Sequence, residues 1–323
     1  MTDSTDSNTA PNVVVLRQKI HGMDVNDYVE EIRSRLPGYE VELADTPQRE
    51  RELLPSADVV TGLDLPSDGF DRAENLSLFA CVYAGTGHLD IDEFVSHDVA
   101  VTNASGVHAT NIAEYVLGGV IAFNQGFLRA VDRKERREWR SWQTRELTGS
   151  KAVVVGLGAI GSEIVERFQA FGVETVGVRY SPSKGGPTDE IYGFDEIHEA
   201  VAGAEYVVLA CPLTDETEGL VDASVLGVMP PDALLVNIAR GPVVETDALL
   251  DSLRWNQLRG AVLDVTDPEP LPAEHELWGF ENVLSTPHTA GHTPEYFARC
   301  AEILAENVER LADGESEYVN QVV

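Results

Sequence analysis

Apolar residues in this chain gather in short runs separated by amphipathic stretches. Asn12–Leu16 is a β-rich run, and Val25, Tyr28, Val29, Ile32 and Leu36 then recur at helical spacing until Pro37-Gly38 stops them. Tyr39–Leu43, Asp58–Thr61, Leu78–Val82 and Val99–Thr102 read as further strands. One long, mostly apolar helix is expected from about His108 to Val131, with Gly118-Gly119 permitting close packing against a neighbour. The charged stretch Asp132 to Glu146 reads as an exposed excursion or a dimer arm. A second alternating series begins at Lys151, with strands at Ala152–Val155, Thr175–Val178, Tyr206–Leu209, Leu234–Ile238 and Ala261–Leu263, and ends near Pro287-His288. Thr293 to Leu311 is amphipathic, with Phe297, Cys300, Ile303, Leu304, Val308 and Leu311 on one face. Two alternating series predict an α/β protein with two doubly wound, Rossmann-like domains, each a parallel sheet covered by helices.

Length agrees, since 323 residues are enough for two domains. The hydrophobic fraction of 43% supplies cores and excludes global disorder. No run of about 18 apolar residues occurs, so no membrane span is expected. Met1 to Pro11 is polar and lacks the basic and apolar regions of a secretory signal, so it reads as a short disordered tail of a cytoplasmic protein. Cys81, Cys211 and Cys300 are few and far apart, which excludes a disulfide framework and a zinc site and leaves core thiols.

Charge changes the picture more. Acidic residues number 55 against 23 basic ones, a formal charge of -32, and only Lys19, Lys134, Lys151 and Lys184 are lysine. Such a surface repels nucleic acid and anionic membrane. It also repels itself unless salt screens it, which happens within about 3 Å at 1 M. A halophilic, salt-adapted protein is therefore expected.

The chemistry starts at Lys151-Ala-Val-Val-Val-Gly156-Leu-Gly158-Ala159-Ile160-Gly161, a G-x-G-x-x-G turn directly after an apolar strand and before a helix. Gly156 permits the tight turn, Gly158 lets the backbone approach a pyrophosphate, and Gly161 lets the helix pack on the strand. The helix start at Ala159 and Ile160 then faces the phosphates. An NAD site would place an acid at the end of the second strand. Arg179 stands there instead, in Arg179-Tyr180-Ser181, and Glu174 lies too early. An arginine suits the 2′-phosphate of NADP, with Ser181, Ser183 and Lys184 beside it. NADP(H) is therefore the expected cofactor, with NAD(H) as the alternative.

Three later segments fall at strand ends, where doubly wound sheets bind ligands: Val236-Asn237-Ile238-Ala239-Arg240-Gly241, Leu263-Asp264-Val265-Thr266-Asp267-Pro268-Glu269-Pro270, and Thr286-Pro287-His288-Thr289-Ala290-Gly291. With the glycine-rich turn, these motifs resemble the D-isomer-specific 2-hydroxyacid dehydrogenase family, in order from about Ala84 to about Gly291. The resemblance implies that the chain is a dehydrogenase, with Arg240, Glu269 and His288 as its catalytic residues. It also implies a discontinuous, flavodoxin-like substrate domain over 1–107 and 293–323, with a dinucleotide domain over 108–292 inserted into it. Reducing a 2-oxo acid needs a hydride at the carbonyl carbon and a proton at its oxygen. An imidazole, whose ordinary pKa of about 6.5 lies near neutrality, can give that proton. Glu269 would fix the tautomer of His288, and Arg240 would pair with the substrate carboxylate and polarise the carbonyl.

By the same resemblance, Tyr83-Ala84-Gly85 is a substrate loop, with an amide nest for the carboxylate and Tyr83 shaping the side-chain pocket. Thr110 and Glu114 match the start of an interdomain helix, with Thr110 at the nicotinamide. Cys211 and Pro212 line the cofactor, Asp264 approaches the carboxamide, and Ile238, Ala239 and Gly291 add cofactor contacts. Glu269 argues against formate dehydrogenase, where relatives carry Gln. The small-molecule partner is thus a 2-oxo or 2-hydroxy acid, and a homodimer is expected, with Trp139 or Trp142 reaching the partner subunit. The competing reading is a dinucleotide-sensing, corepressor-like protein without turnover.

Overall fold

Each short aliphatic run pairs into a parallel ladder, and the ladders fall into two sheets. The computed structural model describes residues 10–20, 22–66 and 68–323, so most of the polar N-terminal stretch, residues 1–9, lies outside the described residues. The chain divides into two compact units, Met1–Val107 with His292–Val323, and His108–Gly291.

The first unit holds β1 (Val13–Leu16), β2 (Val41–Ala44), β3 (Val59–Gly62), β4 (Leu78–Cys81) and β5 (Ala100–Thr102). All are parallel, in the order β2-β1-β3-β4-β5, which is the flavodoxin-like arrangement. Alternate side chains serve opposite faces, as a strand's period of two requires. Val13 and Val15 pack with Tyr28 and Ile32 of α1 (Val25–Arg35) and with Phe297 and Leu304 of the C-terminal helix Tyr296–Ala312. Val14 and Leu16 pack on the other side with Leu53, Leu54 and Phe94. There lie α2 (Pro47–Leu53), α3 (Gly69–Arg72) and α4 (Ile91–Ser96). Asp24, Thr46 and Asp90 cap α1, α2 and α4 through their side chains.

The second unit opens with α5 (Ala109–Gln125) and α6 (Phe127–Arg136). Then follow β6 (Lys151–Val155), α7 (Ala159–Ala170), β7 (Glu174–Val178), β8 (Glu190–Tyr192) and α8 (Ile197–Val201). It closes with β9 (Tyr206–Leu209), α9 (Ala223–Val228), β10 (Leu234–Asn237), α10 (Thr246–Arg254), β11 (Gly260–Leu263) and β12 (Val283–Ser285). The parallel sheet runs β12-β11-β10-β9-β6-β7-β8, a doubly wound order with its switch point between β6 and β9. Val153 and Val155 face one apolar layer, and Ala152 and Val154 the other, where α5 and α7 supply Val116, Val120, Ile164 and Phe168.

The long helix expected from His108 to Val131 is two helices. Gly126 (φ +71°) breaks it, and a Cβ there would lie 2.5 Å from Trp142 Nε1. Trp142 Nε1 donates to Gln125 O at 3.0 Å, so a side chain from downstream occupies the break. Gly119 provides the close packing expected of the Gly118-Gly119 pair, since a Cβ would meet Val262 at 2.8 Å, whereas Gly118 meets nothing. The edge strands β8 and β12 were not expected from the sequence. Each has three residues, only partly buried or exposed, and so lacks an apolar run. All three cysteines are free and buried. Among the described residues no helix is long and apolar enough to cross a membrane.

Candidate active site

At the carboxyl end of β6 the chain turns through Gly156 (φ +99°), where a Cβ would lie 2.6 Å from Cys211 N. At Gly161 a Cβ would lie 1.8 Å from Gly156 O, so only glycine lets α7 begin this close to the strand. Gly158 is different, because nothing lies within 4 Å of where its Cβ would be. It precedes α7 with no side-chain cap, and among the described residues the amides of Gly158, Ala159, Ile160 and Gly161 have no hydrogen-bond partner. Unpartnered amides at a helix start with open space before them fit a pyrophosphate. Cys211, at the end of β9, is buried, and burial pushes its thiol up to about 11, which leaves it inert. Thr217 shapes the following loop. Its Oγ1 donates to Pro212 O at 2.6 Å and accepts from Thr214 N at 2.8 Å.

Arg179 follows β7, half-buried, with its backbone paired to Tyr192 O of β8 at 3.0 Å. Its Nη1 donates to Gly185 O, so the guanidinium sits in the loop that carries Ser181, Ser183 and Lys184. Tyr180 is exposed beside it.

The ends of β10, β11 and β12 carry the other candidates. Asn237 closes the first loop, with its Nδ2 donating to Arg240 O at 3.0 Å and its Oδ1 accepting from Ala239 N at 3.0 Å. Ile238 and Ala239 are buried, while Arg240 projects outward with Nη1 donating to Ala239 O at 2.6 Å. Gly241 then packs against the next loop, where a Cβ would lie 2.0 Å from Thr266 O. That contact sets Arg240 beside the segment bearing Glu269. Glu269 accepts from Thr266 N at 3.0 Å through Oε1 and holds His288 Nδ1 at 3.0 Å through Oε2. Both side chains are partly exposed, and among the described residues His288 Nε2 has no partner. A carboxylate on Nδ1 holds the proton there, fixes the ring and leaves Nε2 aimed outward, the arrangement a general acid or base needs.

Asp264 has partners the sequence reading did not foresee. Its Oδ1 accepts from Thr286 Oγ1 at 2.6 Å and Thr289 N at 2.8 Å, and its Oδ2 from Ala290 N at 3.0 Å. Its carbonyl accepts from His288 N at 2.9 Å. Thr110 stands half-buried in the first turn of α5. On the same helix Asn111 Nδ2 donates to Ala290 O, and His108 Nδ1 lies 2.9 Å from Gly291 O. Asn237, Thr286 and the α5 side chains were missed because their work is to hold backbone, which a motif lists without explaining.

In the first unit, Tyr83, Ala84 and Gly85 follow β4. Tyr83 O accepts from Ala104 N at 3.1 Å, and Ala84 O from Asn103 Nδ2 at 2.8 Å. His88 Nε2 lies 2.7 Å from Leu63 O. With the carbonyls of Tyr83 and Ala84 tied back, the loop leaves the amides of Ala84, Gly85, Thr86 and Gly87 without partners among the described residues, and consecutive free amides are the donors that an anion-binding loop uses. Nothing lies within 4 Å of a Cβ at Gly85 or Gly87.

Comparison with known proteins gives the family and the fold. Residues 117–290 match the family described as D-isomer specific 2-hydroxyacid dehydrogenase, NAD binding domain. The chain is 33% identical to a glyoxylate reductase of Thermofilum pendens over 78% of this chain and 76% of that one. It is 33% identical to a (S)-sulfolactate dehydrogenase of Chromohalobacter salexigens over 70% and 74%. A D-isomer specific 2-hydroxyacid dehydrogenase from Xanthobacter autotrophicus, solved with NADPH and MES, superposes with a TM-score of 0.77 at 27% identity, covering 97% of this chain and 98% of that one.

Proposed function

This chain belongs to the D-isomer specific 2-hydroxyacid dehydrogenase family, and we propose that it interconverts a small 2-oxo acid and its D-2-hydroxy acid with NADP(H). The observation that carries the reading is the Glu269–His288 pair, 3.0 Å apart with Nε2 unpartnered, beside the loop of Arg240. In reduction, the His288 imidazolium gives its Nε2 proton to the carbonyl oxygen, and Glu269 keeps Nδ1 protonated and steadies the imidazolium, which the reverse step regenerates when neutral Nε2 takes the hydroxyl proton. Arg240 pairs with the substrate carboxylate and draws electron density from the carbonyl. The dinucleotide, when bound, supplies or accepts the hydride. The amides of Gly158 to Gly161 would hold its pyrophosphate, with Ile238, Ala239, Cys211, Pro212, Asp264, Thr110 and Gly291 along the cofactor. The open amides of Ala84 to Gly87 are read as a ligand for carboxylate oxygen, next to Tyr83.

Arg179, with Ser181, Ser183 and Lys184 in one loop, favours the 2′-phosphate of NADP. The α6 arm supports the homodimer, since α6 buries none of its residues and Phe127, Val131 and Trp139 are exposed. Trp142, by contrast, donates to Gln125 O and has the guanidinia of Arg129 and Arg133 over its ring, all within its own unit. A formal charge of -32 supports a protein adapted to a high-salt cytoplasm.

The test is oxidation of NADPH and, separately, NADH against glyoxylate, hydroxypyruvate and longer aliphatic 2-oxo acids in molar KCl, repeated after dilution into low salt. Turnover dominated by NADPH and lost on dilution is expected. Tight cofactor binding without turnover on any acid would overturn the enzymatic reading. In Arg179→Asp, the preference for NADPH over NADH should fall by roughly 10- to 100-fold, the worth of one hydrogen bond to a charged group; an unchanged ratio would remove Arg179 from cofactor choice.

A further inference from the structure

His288 is a non-glycine residue with φ +52°, a left-handed conformation that persists only where its surroundings impose it. What imposes it here is a clamp on both sides of the residue. Beneath the loop, Asp264 takes Thr286 Oγ1, Thr289 N and Ala290 N on its carboxylate and His288 N on its carbonyl. Against its flank lie one stripe of α5 and the residue that caps it, His108. Tyr115 Oη is 2.7 Å from Thr286 Oγ1, Asn111 Nδ2 donates to Ala290 O, and His108 Nδ1 is 2.9 Å from Gly291 O. Positions 108, 111 and 115 are spaced to share a helix face. They reach the loop two residues before His288 and two and three residues after it.

The polarity of this chain of bonds is fixed. Thr286 has one hydroxyl proton and gives it to Asp264 Oδ1, so only lone pairs remain for Tyr115, and the phenol must donate. Burial pushes the Tyr115 phenol up to about 12, which keeps that proton in place at any working pH. Nothing else on the Tyr115 ring or hydroxyl is needed for the reaction proposed above.

We propose that Tyr115 is a positioning residue, which through Thr286 and Asp264 holds the His288 loop in its left-handed conformation and so aims Nε2. This rests on the dehydrogenase reading only for its kinetic consequence, because the clamp itself is a property of the loop.

The experiment compares wild type with Tyr115→Phe and Thr286→Val, using Thr286→Ser as the rescue that keeps the hydroxyl. Three quantities are read: kcat and KM for the best 2-oxo acid, NADPH affinity by fluorescence titration, and the His288 imidazole resonances by NMR. For both Tyr115→Phe and Thr286→Val we expect kcat to fall about 10- to 100-fold, the effect of sub-ångström misplacement of a catalytic group. KM and NADPH affinity should stay within about twofold, and the His288 signals should shift and broaden. Thr286→Ser should resemble wild type. If Tyr115→Phe keeps both wild-type kcat and the wild-type His288 signals, the proposal is overturned. If wild type turns over no acid yet Tyr115→Phe still shifts the His288 signals, the clamp stands and the enzymatic reading falls.

Discussion

Two loops at the carboxyl ends of two sheets handle their backbones in opposite ways. The loop after β4 ties back its carbonyls and leaves four consecutive amides open. The loop after β12 leaves little open, because Asp264 and α5 take up its amides, carbonyls and threonine hydroxyl. On the proposed reading the first meets an anion with its main chain, where side chains would only obstruct it. The second must aim one imidazole, and it spends many hydrogen bonds to hold a strained residue. A site that works through backbone is built from glycine and open space. A site that works through a side chain is built from redundancy.

The comparison breaks most sharply at His288. His288→Ala should lower kcat by about 10²- to 10⁴-fold, the usual worth of a general acid, while NADPH affinity stays near normal. Wild-type-like turnover would mean that the braced loop serves no proton transfer. Asp264→Asn sharpens the contrast, because an amide NH₂ would face a donor at Thr289 or Ala290. Unfolding measurements should show a loss of about 1–3 kcal/mol, as for a buried donor left without an acceptor. An unchanged Tm would show that the loop holds without its central acceptor. The smallest change belongs to the open loop. Gly85→Ala should leave stability within about 1 kcal/mol, since no neighbour is touched and no left-handed backbone is required. It should nonetheless raise KM for the 2-oxo acid about tenfold by placing a methyl among the free amides, the loss of roughly one hydrogen bond to a charged group. An unaltered KM would remove this loop from carboxylate binding.

Sequence exposed the buried strands and the candidate site residues, and structure supplied what holds them. Val153 to Val155, Tyr206 to Leu209 and Leu234 to Asn237 are central strands, apolar on both faces, and such runs are legible without a fold. Glu190–Tyr192 and Val283–Ser285 are edges, partly wet, and carry no such run. The helix break at Gly126 was hidden because the residue that fills it, Trp142, lies 16 positions away in a segment read as excursion. Within the site, Arg240, Glu269 and His288 were legible only through the resemblance of the runs that carry them to a known family, since each alone reads as an ordinary loop residue. Tyr115 sits in a helix that is apolar enough to need no further explanation, and only the fold turns its hydroxyl toward Thr286.

The hydrogen bond between His108 and Gly291 joins the first residue of the second unit to its last. To the first unit, therefore, residues 108–291 enter and leave at one point, and their cost in chain entropy is that of a tight turn rather than of a long flexible loop. A segment pinned at its neck in this way can be lengthened, shortened or exchanged for another without disturbing the sheet it interrupts. Such a neck lets the two sheets vary in sequence and length independently of each other.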